Sequence, residues 1–308
     1  MFRLSILGSN SAIPVRDRLP TAQILRIGNA SILIDCGEGT QMQLRRYRIS
    51  MQRISHIFIS HLHGDHYFGL IGLISTLNLL GHKNPIHIYA DPRLEALIQL
   101  QLELSDTVLN YPLHFNPIHP DMDGLLVENE VFSVEAFPLN HRIPTHGFLF
   151  CEKISSPGIN ALLLQDFDVQ ASMWEHIRQG GDYSDEAGNF IPHTALLKEA
   201  ELPRKYAFVS DTAFLPALAG RVGPVDLMYH EATFMKDKEA VAAEKFHSTA
   251  EQAAMLAKDA GAERLIIGHF SARYKDAEPI VAEARAVFPN TWAGMEGDVF
   301  DIPRQKRP

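Results

Sequence analysis

The sequence predicts an α/β fold. Two observations point to it. Short apolar, β-branched runs recur from the N-terminus to about residue 268, with helix-like stretches between several of them. Loops at the ends of several of those runs carry histidine and aspartate residues. The 308 residues are 46% apolar and 21% charged, which is ordinary for a globular enzyme with a sizeable core.

Phe2 to Leu7 alternates apolar and polar residues and stops at Gly8-Ser9-Asn10, a strand entering a loop. Ala22–Ile27 and Ser31–Ile34 read as a hairpin turning at Gly28-Asn29. After the break Asp35-Cys36-Gly37-Glu38-Gly39, Thr40 to Tyr47 suits a helix with Thr40 as N-cap. His56 to Ser60 is a buried strand, and Gly69 to Leu80 has helical spacing. His87 to Ala90 follows as a strand, then a helix over Pro92 to Leu104 opened by Asp91. Val131–Pro138, Gly147–Glu152, Tyr206–Ser210, Asp226–His230 and Arg264–Gly268 read as further strands, and Thr249 to Ala260 as an amphipathic helix. Ile154 to Pro203 has weak periodicity between two good strands, so it reads as an inserted arm on an otherwise single domain.

Composition narrows the function classes. Two cysteines, Cys36 and Cys151, provide neither a disulfide framework nor a cysteine-based zinc finger, and a reducing cytoplasm is the default location. No basic, then apolar, leader precedes the first strand, and no apolar run is long enough to span a bilayer. A net charge of −9 argues against nucleic-acid binding through a globally basic surface. It leaves room for a local path: Arg45, Arg46, Arg48 and Arg53 cluster, as do Arg16 and Arg18, either as solvated faces or as contacts.

The run His61-Leu62-His63-Gly64-Asp65-His66 follows a buried strand directly. Neutral imidazole and carboxylate are ligands for zinc-like ions. Alternation sends His61 and His63 the same way, Gly64 permits a tight turn, and Asp65 and His66 face a second ion. His141, Asp211 and His269 also stand at or just past strand ends. Alone, each would be an ordinary polar residue; together they complete a ligand set. His87, His114 and His119 are read as structural.

This pattern resembles the metallo-β-lactamase superfamily. Further motifs resemble its tRNase Z family, endonucleases that trim tRNA 3′ ends: Leu7-Gly8-Ser9-Asn10-Ser11-Ala12-Ile13-Pro14, Asp35-Cys36-Gly37-Glu38-Gly39-Thr40-Gln41, His230-Glu231-Ala232-Thr233-Phe234, His247-Ser248-Thr249 and Gly268-His269-Phe270-Ser271-Ala272-Arg273-Tyr274. The resemblance spans Met1 to about Asp301. It implies a metallo-β-lactamase fold, an αβ/βα four-layer sandwich of two mixed sheets with helices outside and the site at one edge. It further implies that His61, His63 and His141 hold one metal, that Asp65, His66 and His269 hold the other, and that Asp211 bridges them. Two zinc ions per subunit are implied, with manganese or iron accepted in the superfamily. Asp65 would also act on the attacking water, and Glu231 with His247 would form a pair at the leaving group. Arg273 would reach a phosphate and Tyr274 would stack on a base, unless they are a surface pair. Asp35 lies outside the implied ligands and is expected to bond loop amides or orient a ligand. The partners implied are precursor tRNA and a second copy of the chain in a homodimer.

Two ions about 3.5–4 Å apart can flank a phosphodiester and provide hydroxide for in-line attack. A ribose 3′ oxygen leaves poorly unless protonated, which gives a charged His247 its use. The chain departs from the family in two places. Pro14-Val15-Arg16-Asp17-Arg18-Leu19 matches the family's PxKxRN loop only in part. The arm is acidic where the family's tRNA-gripping arm is basic: Asp166, Asp168, Glu175, Asp182, Asp185, Glu186, Glu199 and Glu201 face only Arg178 and Lys198. Two alternatives stay open: a two-metal phosphodiesterase for small or generic diesters, and a scaffold without activity.

Overall fold

The computed structural model describes residues 1–15, 18–154, 158, 160–167, 169–185, 188–198 and 202–304. Arg16, Asp17, Asp168, Glu186, Glu199 and Glu201, all singled out above, lie outside the described residues. The chain divides into two compact units, one formed by Met1–Glu152 with Arg204–Pro303 and one by Lys153–Pro203.

In chain order the described strands are β1 (Phe2–Gly8), β2 (Ala22–Ile27), β3 (Ala30–Cys36), β4 (Ile54–Phe58), β5 (Ile86–Ala90), β6 (Leu113–Pro117), β7 (Gly124–Glu128), β8 (Phe132–Pro138), β9 (His146–Glu152), β10 (Tyr183–Ser184), β11 (Phe190–Ile191), β12 (Lys205–Val209), β13 (Leu227–Glu231), β14 (Leu265–Gly268), β15 (Thr291–Ala293) and β16 (Val299–Asp301). The larger unit holds two seven-stranded sheets, ordered β16-β1-β2-β3-β4-β5-β6 and β15-β14-β13-β12-β9-β8-β7. Each is antiparallel on one side and parallel on the other, the parallel runs being β3 to β6 and β12 to β15. Both sheets are therefore mixed, as the family resemblance implied.

Alternation along the strands builds the layers. Phe2, Leu4, Leu25, Ile32, Phe58, Phe148, Phe150, Phe208 and Tyr229 point inward and form the core between the sheets. On the outer face of the first sheet, Leu33, Ile57 and Ile88 pack under the helices Thr40–Arg46, Leu70–Leu79 and Arg93–Leu104. On the second sheet Ala207, Val209 and Ile267 do the same under helices Leu218–Val222, Ala250–Asp259 and Glu278–Val287. Each buried Leu, Ile or Phe contributes roughly 1.5–3 kcal/mol by leaving water.

Local chemistry sets the element ends. The β2–β3 hairpin turns at Gly28, whose φ of 56° is left-handed and free of cost only for glycine. Helix Ala250–Asp259 begins with a full capping box: Gln252 N–H donates to Thr249 Oγ1 at 3.2 Å and Thr249 N–H donates to Gln252 Oε1 at 3.0 Å. Thr40 does not cap its helix as expected. Gly39 is the N-cap, and the Thr40 hydroxyl instead donates to the Gly37 carbonyl at 2.7 Å.

The smaller unit has its own core of Leu164, Val169, Ile177, Tyr183, Ile191 and Leu196. Several of its carboxylates serve local turns. Asp182 accepts from His193 N–H at 2.9 Å, Asp185 accepts from Asn189 N–H at 2.8 Å, and Glu175 pairs with Arg178 at 2.7 Å.

Candidate metal centre

Parallel strands bring their C-terminal ends to one edge of the sandwich, and loops leaving those ends carry the polar residues. His61 and His63 follow β4, with His63 standing just before the helical turn Gly64–Tyr67 that carries Asp65 and His66. His141 lies past β8, Asp211 past β12 and His269 past β14, while Glu231 is the last residue of β13. Gly64 sits in the tight turn expected of it, closed by His66 N–H donating to His63 O at 3.0 Å, without a left-handed φ. A Cβ there would come within 2.2 Å of the Phe68 ring, so any larger residue would push that exposed ring aside.

Two donor groups converge. The first is His61, His63, His141 and Asp211; the second is Asp65, His66 and His269. His63 Nδ1 stands 3.1 Å from both His61 Nε2 and His141 Nε2, and Asp211 Oδ2 lies 3.7 Å from the former and 3.8 Å from the latter. Asp211 Oδ1 lies 3.5 Å from His66 Nε2 and 3.3 Å from His269 Nε2, and Asp65 Oδ2 is 3.6 Å and 3.3 Å from the same two atoms. Asp211 thus presents one oxygen to each group.

Outer partners decide which ring nitrogens are free. A carbonyl can only accept, so His141 Nδ1 donates to Phe246 O at 2.9 Å and its Nε2 carries the lone pair. His66 Nδ1 donates to Asp35 Oδ2 at 2.7 Å. His61 Nδ1 meets Ser60 Oγ at 3.0 Å, and that hydroxyl donates to Asp35 Oδ2 at 2.9 Å. His269 Nδ1 meets Thr233 Oγ1 at 2.8 Å, and that hydroxyl donates to Glu231 Oε2 at 2.8 Å. Four Nε2 lone pairs therefore face inward beside two carboxylates. Two of these atoms, His66 Nε2 and Asp211 Oδ1, are buried without a hydrogen-bond partner. Such orphans call for an occupant, and a donor set of imidazoles and carboxylates fits divalent cations.

Electrostatics agree. Burial, joined by the neighbouring His66, pushes His61 well below the ordinary imidazole range, toward the neutral, ligating form. Burial likewise lowers His63 and His141 against the pull of Asp211. Burial opposes the charge on Asp211, yet His269 and His66 hold its carboxyl well below the usual range. His66 is raised well above its ordinary value despite burial, by Asp211, Asp65 and Asp35, so these carboxylates demand a positive charge there.

Asp35 meets its expectation on both counts. Fully buried, it accepts Ser60 N–H at 2.7 Å and orients His66 and, through Ser60, His61. Its φ of 54° is left-handed. His269, Ala12 and Phe246 share that strained conformation, and all three serve this edge: Ala12 N–H donates to Asp65 Oδ2 at 2.7 Å and Phe246 O holds His141. Asp35→Asn should lower metal affinity about 10–100-fold, the range for losing an outer partner of a ligand. Competition with a calibrated chelator checks it, and unchanged affinity would reduce Asp35 to a loop anchor.

Glu231 is completely buried and fully bonded. Its Oε1 accepts from Ser248 N–H at 2.9 Å, Thr212 N–H at 3.2 Å and His247 Nδ1 at 2.9 Å, and its Oε2 accepts from Thr233 N–H at 2.9 Å. Burial works against an imidazolium on His247, but Glu231 outweighs it and lifts His247 to about 9. His247 also stands with Asp211 and His269 as a third set of donors, although its Nδ1 is already taken by Glu231.

The donors open into a cavity of ≈ 560 Å³, whose lining includes His63, Asp65, His141, Asp211, His247 and His269. Arg142, Lys245 and Phe68 line it too, and sequence reasoning passed over all three. Only their adjacency to His141, His247 and His66 marks them. Arg273 and Tyr274 do not line it. Arg273 lies over the Phe234 ring at 4.9 Å, and the Tyr274 hydroxyl accepts from Met235 N–H at 3.1 Å.

Comparison with known proteins finds relatives over nearly the whole chain. A beta-lactamase superfamily domain model matches residues 199–270, and a model for the anti-Pycsar protein Apyc1 matches residues 2–118. A protein of Parabacteroides distasonis named ribonuclease Z is 45% identical, with 96% of this chain and 97% of that one covered. One of the same name from Cytophaga hutchinsonii is 46% identical over 98% of this chain and 96% of its own length. Among solved structures, the short form of human tRNase Z superposes with a TM-score of 0.71 at 29% identity, covering 98% of this chain and 99% of that one.

Proposed function

Because the chain belongs to the ribonuclease Z family, we propose that it is a metal-dependent endoribonuclease that removes 3′ extensions from precursor tRNA. The observation that carries this reading is the inward-facing donor set of imidazoles and carboxylates beside a Glu231–His247 couple at one cavity.

In this reading His61, His63 and His141 hold one cation, Asp65, His66 and His269 hold another, and Asp211 serves both. Two zinc ions suit the donors, and manganese or iron could replace them. When bound, the cations lower the pKa of water and neutralise charge on the scissile phosphate. Asp65 orients the attacking water. Glu231 keeps the His247 imidazole charged through Nδ1, leaving Nε2 to protonate the departing ribose 3′ oxygen. Arg142 and Lys245 supply positive charge along the cavity for adjoining phosphates. The product upstream of the cut then ends in a 3′ hydroxyl.

No helix among the described residues is long and apolar enough to cross a membrane. A cytoplasmic homodimer, in which the Lys153–Pro203 unit helps to hold tRNA, completes the proposal. Its acidity makes that unit's role testable: Asp166→Lys together with Asp168→Lys should tighten precursor binding severalfold if the unit meets RNA, by salt-dependent phosphate contact. Unchanged affinity in a filter-binding titration would remove the unit from the RNA path. The activity itself is tested by mapping the products of a 3′-extended precursor. A single cut near the end of the acceptor stem, leaving a 3′ hydroxyl, is expected; scattered cuts through loops would exclude 3′ processing.

A further inference from the structure

The first sheet carries a second cavity, of ≈ 570 Å³, on its outer face, lined by Arg3, Arg26, Arg48, Arg53, Tyr47 and Ser31 among others. Phe2, Leu4, Leu25, Ile27 and Ile32 face the inter-sheet core, so alternation turns Arg3, Arg26 and Ser31 outward. Pairing register sets these three in a row: Arg3 opposite Arg26, and Arg26 opposite Ser31. Ser31 stands four residues before Asp35 on β3, about 13 Å along the strand. This hollow is therefore separate from the metal centre. Helix Thr40–Arg46 ends beside it, and the chain beyond supplies Tyr47, Arg48 and Arg53.

The charge here is unbalanced. Arg3 is neutralised by Asp301, with contacts of 2.7 and 3.0 Å. Among the described residues the Arg26, Arg48 and Arg53 guanidiniums have no ion pair or hydrogen bond, and no Asp or Glu lines the cavity. Arg48 and Arg53 are exposed and Arg26 is half-buried, so three guanidiniums without a protein counter-charge share one hollow within reach of a ligand from solvent. Across the strand pair Arg26 stands opposite Arg3, whose charge Asp301 already balances, so Arg26 is the one of the two without a counter-charge. Arg48 carries a cost of its own. It occupies the left-handed position after the helix, φ 56°, with its N–H donating to Arg45 O at 3.1 Å and Ile49 N–H donating to Leu44 O at 2.8 Å. Glycine is the usual residue at that position; an arginine there accepts strain and brings a guanidinium to the cavity.

We propose that this cavity binds a phosphorylated small molecule of nucleotide size. Guanidinium forks suit phosphate oxygens. Tyr47 and Ile49, both half-buried, give the hollow apolar wall for the rest of such a ligand. Its volume falls within the roughly 300–1,000 Å³ of small-molecule sites.

Calorimetric titration of the metal-loaded, full-length protein with AMP, and separately with inorganic phosphate, tests this. Arg26→Gln with Arg53→Gln should weaken AMP binding at least about tenfold, while hydrolysis of bis(p-nitrophenyl) phosphate stays unchanged. Inorganic phosphate should bind the same site more weakly, since it leaves the apolar walls bare. Arg48→Gly guards against simple misfolding: it should raise Tm by relieving strain and still weaken AMP binding. Equal AMP affinity in the wild type and the Arg26/Arg53 variant would overturn the proposal. So would an Arg48→Gly protein that binds AMP as well as the wild type, or substitutions felt only by long RNA.

Discussion

Asp211→Ala is expected to remove bound metal and catalysis together. Asp211 is buried at 3% exposure and stands within 3.8 Å of four imidazole nitrogens, two from each donor group. Its loss would leave His61 and His141 on one side and His66 and His269 on the other with no shared anion. A cation pair stabilises the transition state by several kcal/mol, and each 1.36 kcal/mol is a factor of about ten. A fall of at least ~10³-fold in kcat/KM on precursor tRNA should follow. Elemental analysis of the purified variant should show metal well below the wild-type content. A variant that kept full metal and lost only activity would make Asp211 a catalytic base and leave the donor groups unlinked.

His247→Ala is expected to do the reverse. It should keep the metal and slow turnover on RNA by about 10²–10⁴-fold, the usual contribution of a positioned general acid. The substrate then becomes diagnostic. A ribose 3′ oxygen needs a proton to leave, whereas p-nitrophenolate does not. Hydrolysis of bis(p-nitrophenyl) phosphate should therefore be nearly spared. The pH profile carries the same signature. Glu231 raises His247 to about 9 against the cost of burial, so its acid form is present below that value and is lost as pH rises through it. RNA cleavage by the wild type should fall above pH ~9, and the variant should lack that limb. If His247→Ala emptied a metal site, the third donor set of Asp211, His247 and His269 would be the working one and the general-acid role would be wrong.

Much of this centre was legible in the sequence, for a physical reason. Ligands on loops that leave buried strands sit beside strong local signals. The apolar run before His61, the run Tyr206–Val209 before Asp211 and the run before His269 mark themselves as β-structure, and the polar residues after them must share an edge if the strands are parallel. Asp35 was readable as an orienting group because it ends a strand without a place among the implied ligands. Other features had no local signal. β6 mixes His114, Asn116 and Pro117 into a half-exposed edge strand, and β15 and β16 are three residues each, too short to show alternation. Among its described residues the smaller unit buries six side chains, spread from Leu164 to Leu196, which leaves little periodicity to read. Tyr274 lies in a legible motif, yet its hydroxyl is engaged by the Met235 amide and its ring packs on the second sheet's outer core. The cluster of Arg48 and Arg53 could be read in the sequence, but not its meeting with Arg3 and Arg26, which strand register alone sets side by side.

The most direct test is cleavage of a 3′-extended precursor tRNA by zinc-loaded protein, compared with the same protein stripped by chelation and then reloaded, with bis(p-nitrophenyl) phosphate hydrolysis followed in parallel. One cut after the acceptor stem, abolished by stripping and restored by zinc, is the expected result. Metal-dependent hydrolysis of the small diester without a specific tRNA cut would contradict it, leaving a two-metal phosphodiesterase with a different substrate.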